Sequence, residues 1–113
     1  MFDIDISSFL TQKGTHYRKT REDVGSGVFE ETFEEIDSEI PCRRSPVGYN
    51  DIEIAKAAAV EVTDALYLQY GSGLRRGDEF EVGGVRFTIE VSRHPSTAGS
   101  YEKWLMKAKQ ESK

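Results

Sequence analysis

Two adjacent glycines, Gly83 and Gly84, stand between two runs in which apolar and polar residues alternate. A two-residue glycine loop supplies the positive φ angles of a tight hairpin, and a period of two is typical of a half-buried strand. The sequence therefore predicts an antiparallel hairpin over residues 74–91. Its predicted apolar positions are Val85, Phe87, Ile89 and Val91 on one face, with Phe80 and Val82 opposite.

The first third of the chain has a similar but weaker pattern. Residues 15–20 are rich in β-branched and aromatic side chains, and Gly25 and Gly27 follow them in a predicted turn. In residues 28–36, Phe29, Phe33 and Ile36 are spaced by four and three, which also fits a helix. A strand is favoured there because a hairpin signal precedes it. Residues 39–44 predict a further strand that Pro41 places at an edge or a bulge.

The middle and the end of the chain complete the prediction. Residues 45–50 are turn material, and the alanine-rich residues 51–59 favour a short helix. Residues 60–70 predict a strand through the alternation of Leu66 and Leu68. Residues 101–108 predict a last strand, with a helix as the alternative. About six short antiparallel strands indicate a mainly β fold, either a small β-barrel or a compact sandwich, with a long connection that carries the short helix.

The chain length of 113 residues fits one domain. Residues 1–14 are predicted to be a flexible arm or an arm ordered by a partner, and residues 15–113 to be the β-barrel domain. The hydrophobic fraction of 37% is low and the charged fraction of 31% is high. A thin core with a charged surface favours a subunit that gains further burial from its neighbours.

The sequence contains no recognisable constellation of catalytic or metal-binding residues. The two histidines, His16 and His94, are 78 positions apart and lie in no nucleophile motif. A lone cysteine, Cys42, excludes an intramolecular disulfide and a cysteine cage for a metal. The tripeptide of Arg76, Gly77 and Asp78 matches a cell-adhesion motif, but its place before a strand favours a structural role. We therefore expect a protein that is not an enzyme and needs no cofactor.

The formal net charge of −5 argues against a dedicated nucleic-acid binder. Residues 1–42 hold ten acidic and four basic side chains, so the acidity lies almost wholly in the first third. This run is either a solvated face or a surface that repels DNA or docks on a basic partner. Tyr67, Tyr70, Phe80 and Phe87 are expected to pack in the core rather than to stack on bases. No apolar run is long enough for a membrane span.

From Thr15 to about Lys109 the chain resembles the head-closure proteins of long-tailed bacteriophages, also called head-completion, stopper or head–tail joining proteins. The resemblance rests on the order of several cues. These are Thr20 with the glycine turn at residues 23–27, the strand through Ile40 and Arg44, and the connection and strand of residues 51–66. The hairpin of residues 77–89 is the segment that is most similar.

The resemblance implies a structural subunit of the phage neck, assembled in the bacterial host cytoplasm and present in the virion. Such rings of six or twelve copies close the DNA-filled capsid between a portal-adaptor protein and a tail-terminator or tail protein. Double-stranded DNA passes through them without specific binding. The long connection would gate the channel, with Ser45, Pro46, Gly48, Tyr49, Asn50, Asp51, Glu53 and Lys56 as candidate gating residues. The alternatives are another neck or tail part, such as a tail-terminator subunit, and a small oligonucleotide-binding barrel.

Overall fold

The structure is a computed structural model that describes residues 10–23, 27, 29–93 and 101–109. Side chains 21–23 and 29–31 lie outside this description, as do most of the predicted arm, the centre of the turn at residues 24–26 and the loop at residues 94–100. The strands are β1 (Gln12–Asp23), β2 (Phe29–Pro46), β3 (Asp64–Gln69), β4 (Glu79–Val82), β5 (Val85–Ser92) and β6 (Tyr101–Ala108), and the helix α1 spans Tyr49–Ala57.

The six strands form a closed antiparallel barrel in the order β1-β2-β3-β6-β5-β4. Closure is made by β1, which pairs with β2 on one side and with β4 on the other. A closed barrel leaves no sheet edge along its wall, so all the inner side chains face one common core. The prediction of a small β fold of about six strands is confirmed, and the barrel rather than the sandwich is the architecture found.

The core is filled by the alternating side chains of the strands. Phe80 pairs with Phe87 across the predicted hairpin, and Val82 pairs with Val85 beside the two glycines. Gly83 and Gly84 have φ values of 63° and 77°, as the hairpin loop requires. The buried cluster consists of Cys42, Leu66, Leu68, Leu74, Phe80, Val82, Phe87, Ile89, Trp104 and Met106.

The prediction that Val91 shares a face with Val85, Phe87 and Ile89 is wrong. Ile89 pairs with Met106 and Val91 pairs with Leu105, so two residues of β5 advance against one of β6. This irregularity shifts the alternation by one residue. Val91 is therefore out of phase with Phe87 and Ile89 and lies outside the core cluster.

Strand β2 is one continuous 18-residue strand where the sequence predicts two. Gly14 pairs with Ile40, His16 with Asp37 and Tyr17 with Glu35, so β2 accommodates two extra residues against β1. These bulges bend β2 without ending it, which is why the sequence suggests a break there. Pro41 lies beside the bulges, where β2 has β1 as a neighbour but has not yet joined β3, as expected for a proline at an edge.

Strands β1 and β2 continue beyond the barrel wall as a two-stranded ribbon. The last pair between β1 and β4 is Tyr17 with Glu79, and the ladder between β2 and β3 begins at Cys42. An 18-residue strand rises about 60 Å, and the molecule measures 61 × 30 × 28 Å. At the root of the ribbon the guanidinium of Arg86 lies 3.5 Å from the centre of the Tyr17 ring. This cation–π contact attaches the ribbon to the outer barrel wall.

Candidate functional site

The predicted gating connection is an ordered helix. Ser45 and Pro46 belong to the end of β2 and pair with Ala65 and Asp64, so the predicted turn starts too early. A residue of β2 that is bonded to β3 is part of the barrel wall and is not free to move as a loop. The other candidate residues follow it: Gly48 precedes the helix, and Tyr49, Asn50, Asp51, Glu53 and Lys56 lie within α1.

Asp51 fixes α1 to the barrel. Its carboxylate is buried, accepts a hydrogen bond from the Gly48 N–H at 3.0 Å, and forms ion pairs with Lys103 at 3.0 Å and with Arg93. Burial alone would raise the pKa of Asp51, but the Gly48 N–H, Lys103 and Arg93 outweigh it and lower that pKa. Asp51 is therefore a structural anchor that joins the helix to Arg93, which follows β5, and to Lys103 of β6.

The opposite face of α1 is exposed. Tyr49 has 76% of its surface exposed and Ile52 has 38%, while Glu53 and Lys56 form an ion pair of 3.7 Å in solvent. Beside them runs a shallow groove of about 310 Å³. Its lining residues are Ile52, Ala55, Lys56, Val60, Glu61, Val62, Thr63 and Lys107. The eight predicted residues thus divide into wall, anchor and an exposed face suited to contact with another surface.

A second buried cluster centres on Asp78. His16 donates to one carboxylate oxygen at 2.7 Å, and Arg18 contacts both oxygens at 3.0 and 3.3 Å. The Arg75 N–H donates to the same carboxylate at 3.0 Å. Burial opposes the charge on Asp78, but the bonds from Arg18, His16 and Arg75 outweigh this effect and lower its pKa.

The arrangement around Asp78 serves the fold. Because Asp78 is 4% exposed, the adhesion-like tripeptide of residues 76–78 does not present its carboxylate to solvent. The histidine that sequence analysis found without a catalytic context is paired with this aspartate instead. Only spatial proximity reveals the pair, since 62 positions separate His16 from Asp78.

The loop of residues 70–78 leads from β3 to Asp78, and Glu102 binds the first part of this loop. It accepts hydrogen bonds from the Gly71 and Ser72 N–H groups at 2.7 and 3.1 Å, from the Ser72 hydroxyl at 2.6 Å and from the Trp104 indole at 3.0 Å. Leu74, between the two carboxylates, enters the core. Residues 70–78 therefore form a rigid cover over one end of the barrel.

The four candidate aromatic residues, all of them described, do not form a common stacking surface. Phe80 and Phe87 are buried in the core, as expected, and Tyr67 is half-buried with its ring centre 6.2 Å from that of Tyr101. Tyr70 is 63% exposed, so the expectation of core packing is wrong for this residue. It follows Gln69, the last residue of β3, where the chain leaves the wall for the loop.

A recess of about 660 Å³ lies between Phe33 of the ribbon and the outer wall of β4 and β5. Its floor contains the buried Glu79, which binds Arg86 at 2.7 Å and Lys109 at 2.6 Å. Both cations also lie near the Phe33 ring, at 5.8 and 5.2 Å from its centre. Glu79, Arg86 and Lys109 of the recess are thus paired with one another.

In the described part of the chain, no group of three or more His, Cys, Asp or Glu side chains could hold a metal ion. His94 lies outside the described residues. No helix within the described residues has the length and apolar character needed to cross a bilayer. No family model matches the sequence, and no curated protein matches it either.

Proposed function

We propose that the chain is a non-catalytic structural subunit of a phage head–tail connector ring, which closes the DNA-filled capsid and provides the docking surface for the tail. The observation that carries the proposal is the closed barrel with a projecting β1–β2 ribbon. In the described chain, the part of β1 after Tyr17 pairs only with β2, and the part of β2 before Cys42 pairs only with β1. Surfaces that a single copy leaves open are what an assembly subunit needs.

The use of the buried polar groups supports a structural role. Asp51, Asp78 and Glu102 each bind two or more partners within the chain, and each holds a loop or a helix in place. Among the described residues, every buried side-chain nitrogen and oxygen has a hydrogen-bond partner. A general acid or base must be able to reach a substrate, whereas these three carboxylates are bound to groups of the chain itself.

The helix α1 is the proposed channel element of the ring. Asp51 anchors one face, while Tyr49 and Ile52 extend from the other. A helix fixed to the barrel places these side chains at a defined position in every copy of a ring. Because the chain is acidic, six or twelve copies would surround DNA with a repulsive field, which favours sliding over binding.

The test is reconstitution with DNA-filled, tailless phage heads. The purified protein is incubated with the heads, the mixture is sedimented, and nuclease resistance of the DNA is measured. The proposal predicts co-sedimentation and retained, protected DNA. Failure to bind heads, by a protein that is folded, would refute the proposed function.

Substitution on α1 separates gating from attachment. Tyr49→Ala with Ile52→Ser removes the exposed apolar side chains but keeps Asp51 and Ala55, whose loss would detach the helix. This variant should bind heads and fail to retain DNA. The matched control, Thr11→Ala with Ser92→Ala, changes two exposed residues outside the helix and should retain DNA. Equal retention by both variants would remove α1 as the gate.

A further inference from the structure

The edge of β2 between the barrel and the ribbon tip has no partner strand in the described chain. Residues 32–41 pair with β1 on one side, and the ladder to β3 starts only at Cys42. Unpaired strand edges bind other chains readily unless they carry charges or bulges. This edge has both, since it contains the two bulges and the exposed acids Glu34, Glu35, Asp37 and Glu39.

A cleft opens where β2 separates from β3. Its volume is about 220 Å³, and it is lined by Asp37, Ser38, Glu39, Ile40 and Pro41 on one side and by residues 68–72 on the other. Glu39 adopts a φ of 55°, in the left-handed region, as part of the bulged backbone. We call this cleft the acidic notch. Two carboxylates, two apolar side chains and the exposed ring of Tyr70 are groups that bind a guanidinium well.

The acids of the notch have no basic partner within the described residues. Neither Asp37 nor Glu39 forms an ion pair there; Asp37 only accepts a hydrogen bond from the neighbouring Ser38 N–H at 2.9 Å. Nearly all the described bases are already engaged, including Arg18, Arg44, Arg86, Arg93, Lys103, Lys107 and Lys109.

Arg75, Arg76 and Lys13 are the exceptions. All three side chains are exposed and form no ion pair with the described residues, and only Arg75 and Arg76 share one turn. Their turn is held by Asp78, whose N–H donates to the Arg75 carbonyl at 3.0 Å and whose carboxylate binds the Arg75 N–H. The two guanidinium groups are therefore presented from a rigid base, which lowers the entropy lost on binding.

We infer that the acidic notch binds the turn of Arg75 and Arg76 from a second copy of this chain. The notch is lined by β2 and residues 68–72, whereas the turn is formed by residues 75 and 76, so the contact joins two different surfaces of the chain. A contact between two different surfaces is head to tail, and it closes into a ring when the rotation allows. The inference deepens the proposed function, on which it rests for the closed ring, by naming the contact between neighbours.

Paired charge reversal tests this contact. One variant carries Arg75→Glu and Arg76→Glu, so it keeps the notch and loses the turn; the other carries Asp37→Arg and Glu39→Arg and keeps only the turn. Analytical ultracentrifugation at low ionic strength should show association of the native chain. We expect each variant alone to associate at least about tenfold more weakly, because close charge pairs at interfaces are strongly coupled.

Mixing the two variants gives the sharper result. The turn of the second variant fits the notch of the first, and the glutamates on the turn of the first fit the arginines in the notch of the second, because each contact then joins opposite charges. The mixture should therefore regain association and grow beyond two copies. A two-fold contact would use the same patch on both chains and would stop at two copies.

A control variant with Glu53→Arg and Glu61→Arg changes two exposed acids outside the notch and makes the same change in charge. It should associate like the native chain, and all variants should keep the native urea midpoint. A native chain that stays monomeric at low ionic strength, or a mixture that stays monomeric, overturns the inference. Head binding is measured separately. If the protein closes heads but does not form this contact, only the inference is refuted. If the protein associates through this contact but does not bind heads, only the proposed function is refuted.

Discussion

The barrel and the ribbon use the same kind of side chain in opposite ways. In the described barrel and its attached helix, the four buried carboxylates Asp51, Asp78, Glu79 and Glu102 all bind bases or backbone N–H groups. On the ribbon, Glu34, Glu35, Asp37 and Glu39 are exposed and have no basic partner among the described residues. Burial makes a carboxylate a structural part, and exposure leaves it available to another molecule.

The largest effect that we expect separates the two regions at Gly14, in β1 beneath the ribbon. A Cβ atom there would lie 2.1 Å from Cε1 of the buried Phe80 ring and 2.9 Å from the Glu81 carbonyl oxygen. Gly14→Ala should therefore destabilise the fold by about 3 kcal/mol or more, because the ring and the backbone must both move. Urea unfolding measures this, with Gly48→Ala as a control, since its Cβ would meet only Asp51 Oδ2 at 3.8 Å. Equal midpoints for the two variants would show that the wall yields easily at Gly14.

Removing the charge of one buried carboxylate should have the next largest effect. Asp78→Asn leaves His16 and Arg18 without their acidic partner, and we expect a loss of about 3 kcal/mol in the free energy of unfolding. Asp64→Asn is the control, since its single contact with Arg44 is 3.8 Å long and partly exposed. The control should lose less than about 1 kcal/mol. If both variants lost the same amount, burial would not explain the difference.

Acid should weaken the barrel through the same carboxylates. The folded chain lowers the pKa of Asp51, Asp78 and Glu102, so the unfolded chain binds protons first as the pH falls. Their contribution is complete above the ordinary pKa values of 3.8 for Asp and 4.5 for Glu and is lost as the pH falls below them. Urea midpoints from pH 7 to pH 3 should stay level and then drop. The drop should be smaller for Asp78→Asn, and an unchanged drop would exclude Asp78 as a source.

The smallest effect on stability is expected on the ribbon. Glu34→Gln with Glu35→Gln removes two exposed charges that bind no described base, so the free energy of unfolding should change by less than about 0.5 kcal/mol. The same urea measurement checks it. A loss comparable to that of Asp78→Asn would mean that the ribbon acids support the fold after all.

The sequence predicted those parts of the fold in which local pattern and tertiary packing agree. The hairpin at Gly83 and Gly84 is confirmed, as is the strand at residues 101–108, where Glu102, Trp104 and Met106 face inward. In both cases one barrel face is buried, so the alternation in the sequence is the alternation in the structure. The strand preferred for residues 28–36 is also confirmed, for the residues that the structure describes.

Other features depend on contacts between distant positions and leave little trace in the sequence. Gly14 is required by the Phe80 ring, 66 positions later, and Asp78 is required by His16. The bulges in β2 and β5 shift the alternation, which is why the sequence pattern puts Val91 on the wrong face and predicts two strands where β2 is one. For the candidate residues on the connection, the sequence indicated a helix but not its start at Tyr49 or the anchoring role of Asp51.

Cys42 lies where the ribbon joins the barrel, since it forms the last described pair with Gln12 of β1 and the first with Leu68 of β3. It is fully buried, and burial raises the pKa of its thiol to about 11. A thiol reagent can therefore modify the native chain only in molecules whose junction has opened. The modification rate of this single cysteine therefore measures how often the junction opens. It can be followed without any added label, in the free chain or in an assembly.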